Sequence, residues 1–152
     1  MYKRISTVVV VILTVFLLPF FLIAQDTDGA FVHSVDTEKL EWGSCPEFMP
    51  ESCSIAVLQG SPAKPNADIF FKLEGNTKVA NHWHHSPERM VMISGKMEVE
   101  YEGQDPKVMK AGNYAYGPAE HPHEASCVSV EPCVLFIAFE DPVDAFAVKS
   151  EK

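Results

Sequence analysis

Two patterns of apolar residues run along this chain. The first is one block near the start, Val8-Val9-Val10-Val11-Ile12-Leu13 and then Phe16-Leu17-Leu18-Pro19-Phe20-Phe21-Leu22-Ile23-Ala24. It follows Lys3 and Arg4, and no further charge appears before Asp26. A basic start, an apolar centre and a polar exit are the parts of a secretory signal peptide, so residues 1–24 are expected to direct export and to be removed after Ala24. The alternative is an uncleaved anchor through residues 5–24, since the apolar stretch approaches the ~20 residues that cross a bilayer. Pro19 and the missing second basic flank favour cleavage. On either reading the folded part, residues 25–152, stands outside the cytoplasm as a single domain.

The second pattern is a series of short runs, each stopped by a turn signal. Residues 25–42 are polar and mixed and read as an arm that packs on the domain or on a neighbouring subunit. Ile55-Ala56-Val57-Leu58 then stops at Gly60-Ser61-Pro62, Ile69-Phe70-Phe71-Lys72-Leu73 at Gly75-Asn76, and Met90-Val91-Met92-Ile93 at Ser94-Gly95. Met97, Val99 and Tyr101 alternate with Glu98, Glu100 and Glu102, which predicts a strand with one buried face and one solvated, acidic face. Tyr114-Ala115-Tyr116 precedes Gly117-Pro118, and residues 134–139 are apolar throughout. Alternation puts Met90 and Met92 on the face of Glu88, where they line an interior with Phe71, Met97 and Tyr101, and sends Arg89 to the other face. Tyr114 and Tyr116 are expected to be buried in their sheet. No 3.6-residue period lasts three turns after residue 24, so the fold class is all-β, a sandwich or barrel of short strands.

Composition narrows the partners. With 47% hydrophobic residues in 152, the chain is globular rather than disordered. Lys and Arg number 12 against 21 Asp and Glu, a formal charge of −9, so the clustered cations of a nucleic-acid groove are missing. Cys45 and Cys53 bracket one Pro-containing loop, and Cys127 and Cys133 bracket another. Four cysteines allow three pairings, and the two local ones are favoured because each encloses a short, turn-rich segment. The intervals exceed the Cys-x₂₋₄-Cys of zinc sites, and an exported chain meets oxidising conditions, so disulfides are expected rather than a thiolate metal site.

The histidines carry the candidate chemistry. Five of six lie in two clusters, His82-Trp83-His84-His85 and His121-Pro122-His123, while His33 stands alone and reads as structural or exposed. On a strand, His82 and His84 point to one side with Trp83 to the other. Glu88 can return a carboxylate to the same centre after the Ser86-Pro87 turn, and one histidine of the second cluster completes three imidazoles and a carboxylate. That donor set suits one divalent transition metal and leaves positions open for water or substrate, without separating Fe, Mn, Zn, Ni and Cu. His85 reads as an outward or rim residue.

These residues resemble the cupin motifs. The first, G-x₅-H-x-H-x₃₋₄-E-x₆-G, is matched by Gly75, six residues rather than five, then His82-x-His84-x₃-Glu88-x₆-Gly95. The second, G-x₅-P-x-G-x₂-H-x₃-N, is matched by Gly112-x₅-Pro118-x-Glu120-x₂-His123, with Glu120 in place of glycine and Cys127 in place of asparagine. The surrounding sequence is similar to a group of small exported bacterial cupins. The resemblance implies a double-stranded β-barrel of the jelly-roll type with a metal in its mouth held by His82, His84, Glu88 and His123. It leaves His121 in the turn beside the site, and it makes the position of Glu120 one that needs a positive φ. It implies a homodimer and a small-molecule ligand, and removal of residues 1–24 would leave no membrane partner. Dioxygenases, isomerases, decarboxylases and pure binding proteins all use this scaffold. Two functions are therefore carried forward: an exported metal-dependent enzyme, dioxygenase- or isomerase-like, acting on a small organic molecule, and a non-catalytic binding or sensing module with a structural metal.

Overall fold

Residues 134–139 are apolar on both faces because they form the middle of a sheet. A computed structural model describes residues 29–36 and 38–149, so the signal-peptide or anchor segment lies outside the described residues. Among the described residues the regular elements are eleven strands. They are β1 (Trp42–Ser44), β2 (Ser54–Gln59), β3 (Ala67–Leu73), β4 (Thr77–Trp83), β5 (Glu88–Ser94), β6 (Lys96–Tyr101), β7 (Lys107–Lys110), β8 (Tyr114–Gly117), β9 (His123–Cys127), β10 (Cys133–Phe139) and β11 (Phe146–Ala147). One antiparallel sheet has the order β1-β2-β3-β10-β5-β8 and the other β11-β4-β9-β6-β7. From β3 onward the chain crosses between sheets at nearly every turn, which makes the architecture the expected all-β jelly-roll barrel.

The core fills the space between the sheets. Ile69, Leu73, Met92 and Leu135 come from one sheet, and Val79, Met97, Val99 and Met109 from the other. Met90 joins them, and Phe71 and Tyr101 pack against them partly buried, as alternation requires. Glu98, Glu100 and Glu102 face solvent. Arg89 is exposed and pairs with Glu140. On the outer face of the larger sheet Leu40 is buried with Ala56 and Phe70, and the Lys72 ammonium lies 4.2 Å from the Trp42 ring centroid.

Tyr114 and Tyr116 correct the sequence reading. They are 62% and 55% exposed rather than buried. Strand β8 is the edge of its sheet and pairs only with β5. Its inward positions are Ala115 and Gly117, small residues that leave the barrel interior open, so the tyrosines take the outer face.

Both local disulfides are present, Cys45–Cys53 and Cys127–Cys133, and no described cysteine is free. The second closes the loop between β9 and β10. That loop passes so close to Gly75 that a Cβ there would lie 2.0 Å from the Val130 carbonyl oxygen. Only glycine fits.

Candidate metal centre

Strand β4 delivers two histidines by means of a bulge. Val79 pairs with Ala125, yet His82 pairs with His123, so three steps on β4 match two on β9. The extra residue is absorbed there. It resets the alternation so that Val79, His82 and His84 are all buried while Ala80, Asn81 and His85 are exposed. Trp83 turns outward and stacks on Phe146, with ring centroids 4.7 Å apart.

Glu88 and His123 arrive from different sheets. The turn before β5 is pinned by the buried Ser86 hydroxyl, which accepts from the backbone N–H groups of Glu140 at 2.9 Å and Asp141 at 3.1 Å. Glu88 then opens β5 pointing inward, opposite Phe139 on one side and Gly117 on the other. His123 opens β9 between His82 on β4 and Tyr101 on β6. His82, His84, Glu88 and His123 are each 5–7% exposed.

Backbone carbonyls set the orientation of all three imidazoles. The Nδ1–H of His82 donates to the Ala80 carbonyl at 2.8 Å, that of His123 to the His121 carbonyl at 3.1 Å, and that of His84 to the Asp144 carbonyl. A carbonyl can only accept, so each neutral ring keeps its proton on Nδ1 and presents an Nε2 lone pair. The three rings bring their ligand atoms within 4.8 Å of one another. Glu88 Oε2 lies 3.7 Å from His84 Nε2 and 3.8 Å from His123 Nε2. Among the described residues, His84 Nε2 is buried with no hydrogen-bond partner.

Burial disfavours the charged imidazolium at His82 and His123. Desolvation, helped by His84, pulls His82 down to about 4. Desolvation, followed by the neighbouring His82, pulls His123 down to about 3. Burial raises the Glu88 carboxyl against a smaller opposing pull from His84. Three clustered lone pairs, two of them within 4 Å of a buried carboxyl, lack a cation. The donor set and the orphaned His84 nitrogen fit a divalent metal ion.

A cavity of about 100 Å³ adjoins the four residues. Its wall is mainly apolar, including Ile69, Phe71, Met97, Leu135 and Phe139, with Pro46 and Met49 supplied by the first disulfide loop. Tyr101 also lines it, and its hydroxyl is buried without a hydrogen-bond partner. Burial and the nearby Glu88 push this phenol up, so it stays protonated. Gly117 makes the room: a Cβ there would lie 2.2 Å from that hydroxyl and 3.2 Å from Glu88 Oε2.

The remaining histidines stand apart from the cluster. His121 donates from Nε2 to the Glu102 carbonyl at 3.0 Å, bracing the turn before β9. His85 is exposed and bonds through Nδ1 to Asp144 Oδ2 at 2.6 Å. His33 is exposed. Two participants were not readable as such in the sequence. Tyr101 showed only its inward parity, and Asp144, sixty residues from His84, gave no local signal. Glu120 has φ +57°, the left-handed conformation, and its N–H donates to the His84 carbonyl at 2.7 Å.

Comparisons with known proteins agree with this architecture. No curated protein sequence matches the chain. Among solved structures, the DMSP lyase DddQ from Ruegeria pomeroyi DSS-3 is similar with a TM-score of 0.64 at 15% identity, over 74% of this chain and 63% of that one. Oxalate decarboxylase from Bacillus subtilis is similar with a TM-score of 0.56 at 20% identity, over 66% of this chain and 29% of that one. Another structure of that decarboxylase, concerned with its Mn(II) centres, gives 0.56 at 21% identity, over 65% and 29%. The chain thus spans less than two thirds of either enzyme, and at these identities the likeness is one of fold. The ChrR cupin-like domain model matches residues 32–142, a stretch that contains both histidine clusters, Glu88 and ten of the eleven strands. With barrel, motifs and family match in agreement, this chain belongs to the ChrR cupin-like domain family of the cupins.

Proposed function

We propose that this protein is an exported, metal-dependent enzyme acting on a small organic molecule, with His82, His84, Glu88 and His123 as the ligands of one divalent transition metal. The observation that carries this reading is the convergence of three lone-pair nitrogens, each oriented by a backbone carbonyl, with the Glu88 carboxyl beside two of them. Such an ion would act as a Lewis acid on an oxygen atom of the ligand. The chain itself does the rest. It holds the rings in one tautomer, excludes water with an apolar wall, and keeps a phenol O–H donor at Tyr101 beside Glu88. The DMSP lyase and the oxalate decarboxylase among the fold neighbours support an enzymatic use of such a barrel. Two disulfides support an oxidising compartment, in keeping with removal of residues 1–24.

The test is elemental analysis of protein purified from its native compartment, followed by a screen of small phenols, keto acids and diketones. The expected result is about one metal per chain and turnover that a chelator abolishes and one metal restores. The Glu88→Gln variant should lose far more turnover than ligand binding. Binding of panel members without turnover, metal present, would instead identify a binding or sensing module.

A further inference from the structure

The four proposed ligands account for every buried polar side chain facing the cavity except one, the hydroxyl of Tyr101. Tyr101 ends β6 directly opposite His123, and the two ring centroids lie 4.6 Å apart. The phenol also meets the His121 ring edge-on, with centroids 5.4 Å apart. The hydroxyl is buried, has no acceptor among the described residues, and occupies space that exists because residue 117 is glycine. A buried O–H without an acceptor is less stable than one that is satisfied, so this donor favours a ligand that brings an acceptor atom.

The rest of the cavity limits what that acceptor belongs to. Among the described residues its wall contains no lysine or arginine, and two acidic residues line it, Glu88 and Asp144, the latter bonded to His85. A ligand with two anionic groups would find no cation for the second, and burying an unpaired carboxylate is prohibitive. The volume of about 100 Å³ is below the ~150 Å³ of an apolar cavity that admits benzene, which favours a small ligand body. Methionine thioethers at Met90 and Met97 give a soft, adaptable lining for a hydrocarbon body.

We infer that the cavity binds a small, uncharged carbonyl compound whose oxygen accepts from the Tyr101 hydroxyl and whose hydrocarbon body lies against Met90, Met97 and Phe71. The inference deepens the enzymatic reading above by naming its ligand class. Tyr101 is then a substrate-orienting residue, and dicarboxylates are excluded.

The test uses the intact, disulfide-bonded protein, metal-free and zinc-loaded, titrated with cyclopentanone, cyclopentane and malonate. Methionine methyl NMR signals are the readout, because Met49, Met90 and Met97 line the cavity while Met92 and Met109 are buried elsewhere in the core. Cyclopentanone should shift Met49, Met90 and Met97 and leave Met92 and Met109 in place. Tyr101→Phe should weaken cyclopentanone roughly fivefold, the loss of one neutral hydrogen bond, and leave cyclopentane unchanged. Zinc uptake by the variant, equal to that of wild type, shows that the barrel and its ligands are intact. Equal cyclopentanone affinity with and without the hydroxyl would overturn the inference, as would tighter binding of malonate than of cyclopentanone by metal-free protein. Failure of the wild type to take up zinc would count against the metal reading only, since the ketone comparison is complete in the metal-free protein.

Discussion

Replacing Glu120 by glycine should stabilise this protein. Glu120 sits at φ +57° in the turn that leads into His123. In that conformation an L-residue's Cβ crowds its own carbonyl, at a cost of roughly 1–2 kcal/mol. Glycine escapes the crowding but loses about 0.5–1 kcal/mol more chain entropy on folding. The side chain of Glu120 is exposed, and the turn is held by its backbone N–H on the His84 carbonyl, which glycine retains. The difference leaves Glu120→Gly more stable by about 0.5–1 kcal/mol, or about 2–4 °C in melting temperature for a domain of this size. Calorimetric melts of wild type, Glu120→Gly and Glu120→Ala make the comparison, with alanine as the control that keeps the Cβ. Asn76→Gly is a second control, because Asn76, at φ +57°, is a residue type that tolerates this region. A gain confined to Glu120→Gly is expected, with metal content unchanged. An equal gain for alanine would place the effect in the side chain's charge, and a loss with glycine would refute the strain argument.

Three further outcomes are expected. His123→Ala should purify largely metal-free while His121→Ala keeps most of its metal, because His123 presents a lone pair to the cluster and His121 bonds the Glu102 carbonyl; the reverse ranking would displace His123 from the proposed ligand set. In metal-free protein, His82 at about 4 and His123 at about 3 lie below the ordinary 6.5, so the unfolded chain takes up their protons first and stability should fall as pH drops from 6.5 towards 4. Glu88, raised by burial, acts in the opposite sense above its ordinary 4.5 and reduces the loss; urea midpoints that stay flat or rise over this window would contradict the assignment. Gly75→Ala should cost about 1–3 kcal/mol by forcing the Val130 carbonyl aside, and an unshifted urea midpoint would show that the β9–β10 loop yields freely.

Period-two alternation and turn punctuation were enough to read an all-β sandwich or barrel from the chain, because each depends only on near neighbours, and the cupin resemblance narrowed this to the barrel. Glu88, Met90 and Met92 share a face wherever β5 is placed, and the same rule turned Trp83 away from His82 and His84. The short cysteine loops likewise made local disulfides the natural pairing, as found. Edge and centre are a different matter, since they follow from strand order. Residues 134–139 and Tyr114-Ala115-Tyr116 both read as buried strands, yet β10 lies between β3 and β5 while β8 has only β5, so its tyrosines face solvent. The sixth residue between Gly75 and His82 looked like an irregularity of spacing until the pairing of β4 with β9 showed the bulge that takes it up. The tautomer of His84 is decided by a carbonyl sixty residues away, and the orphaned Tyr101 hydroxyl by the absence of a side chain at Gly117. Residue types and their spacing nominate the donors. Which way their lone pairs point depends on contacts between distant segments, and only the folded barrel brings those segments together.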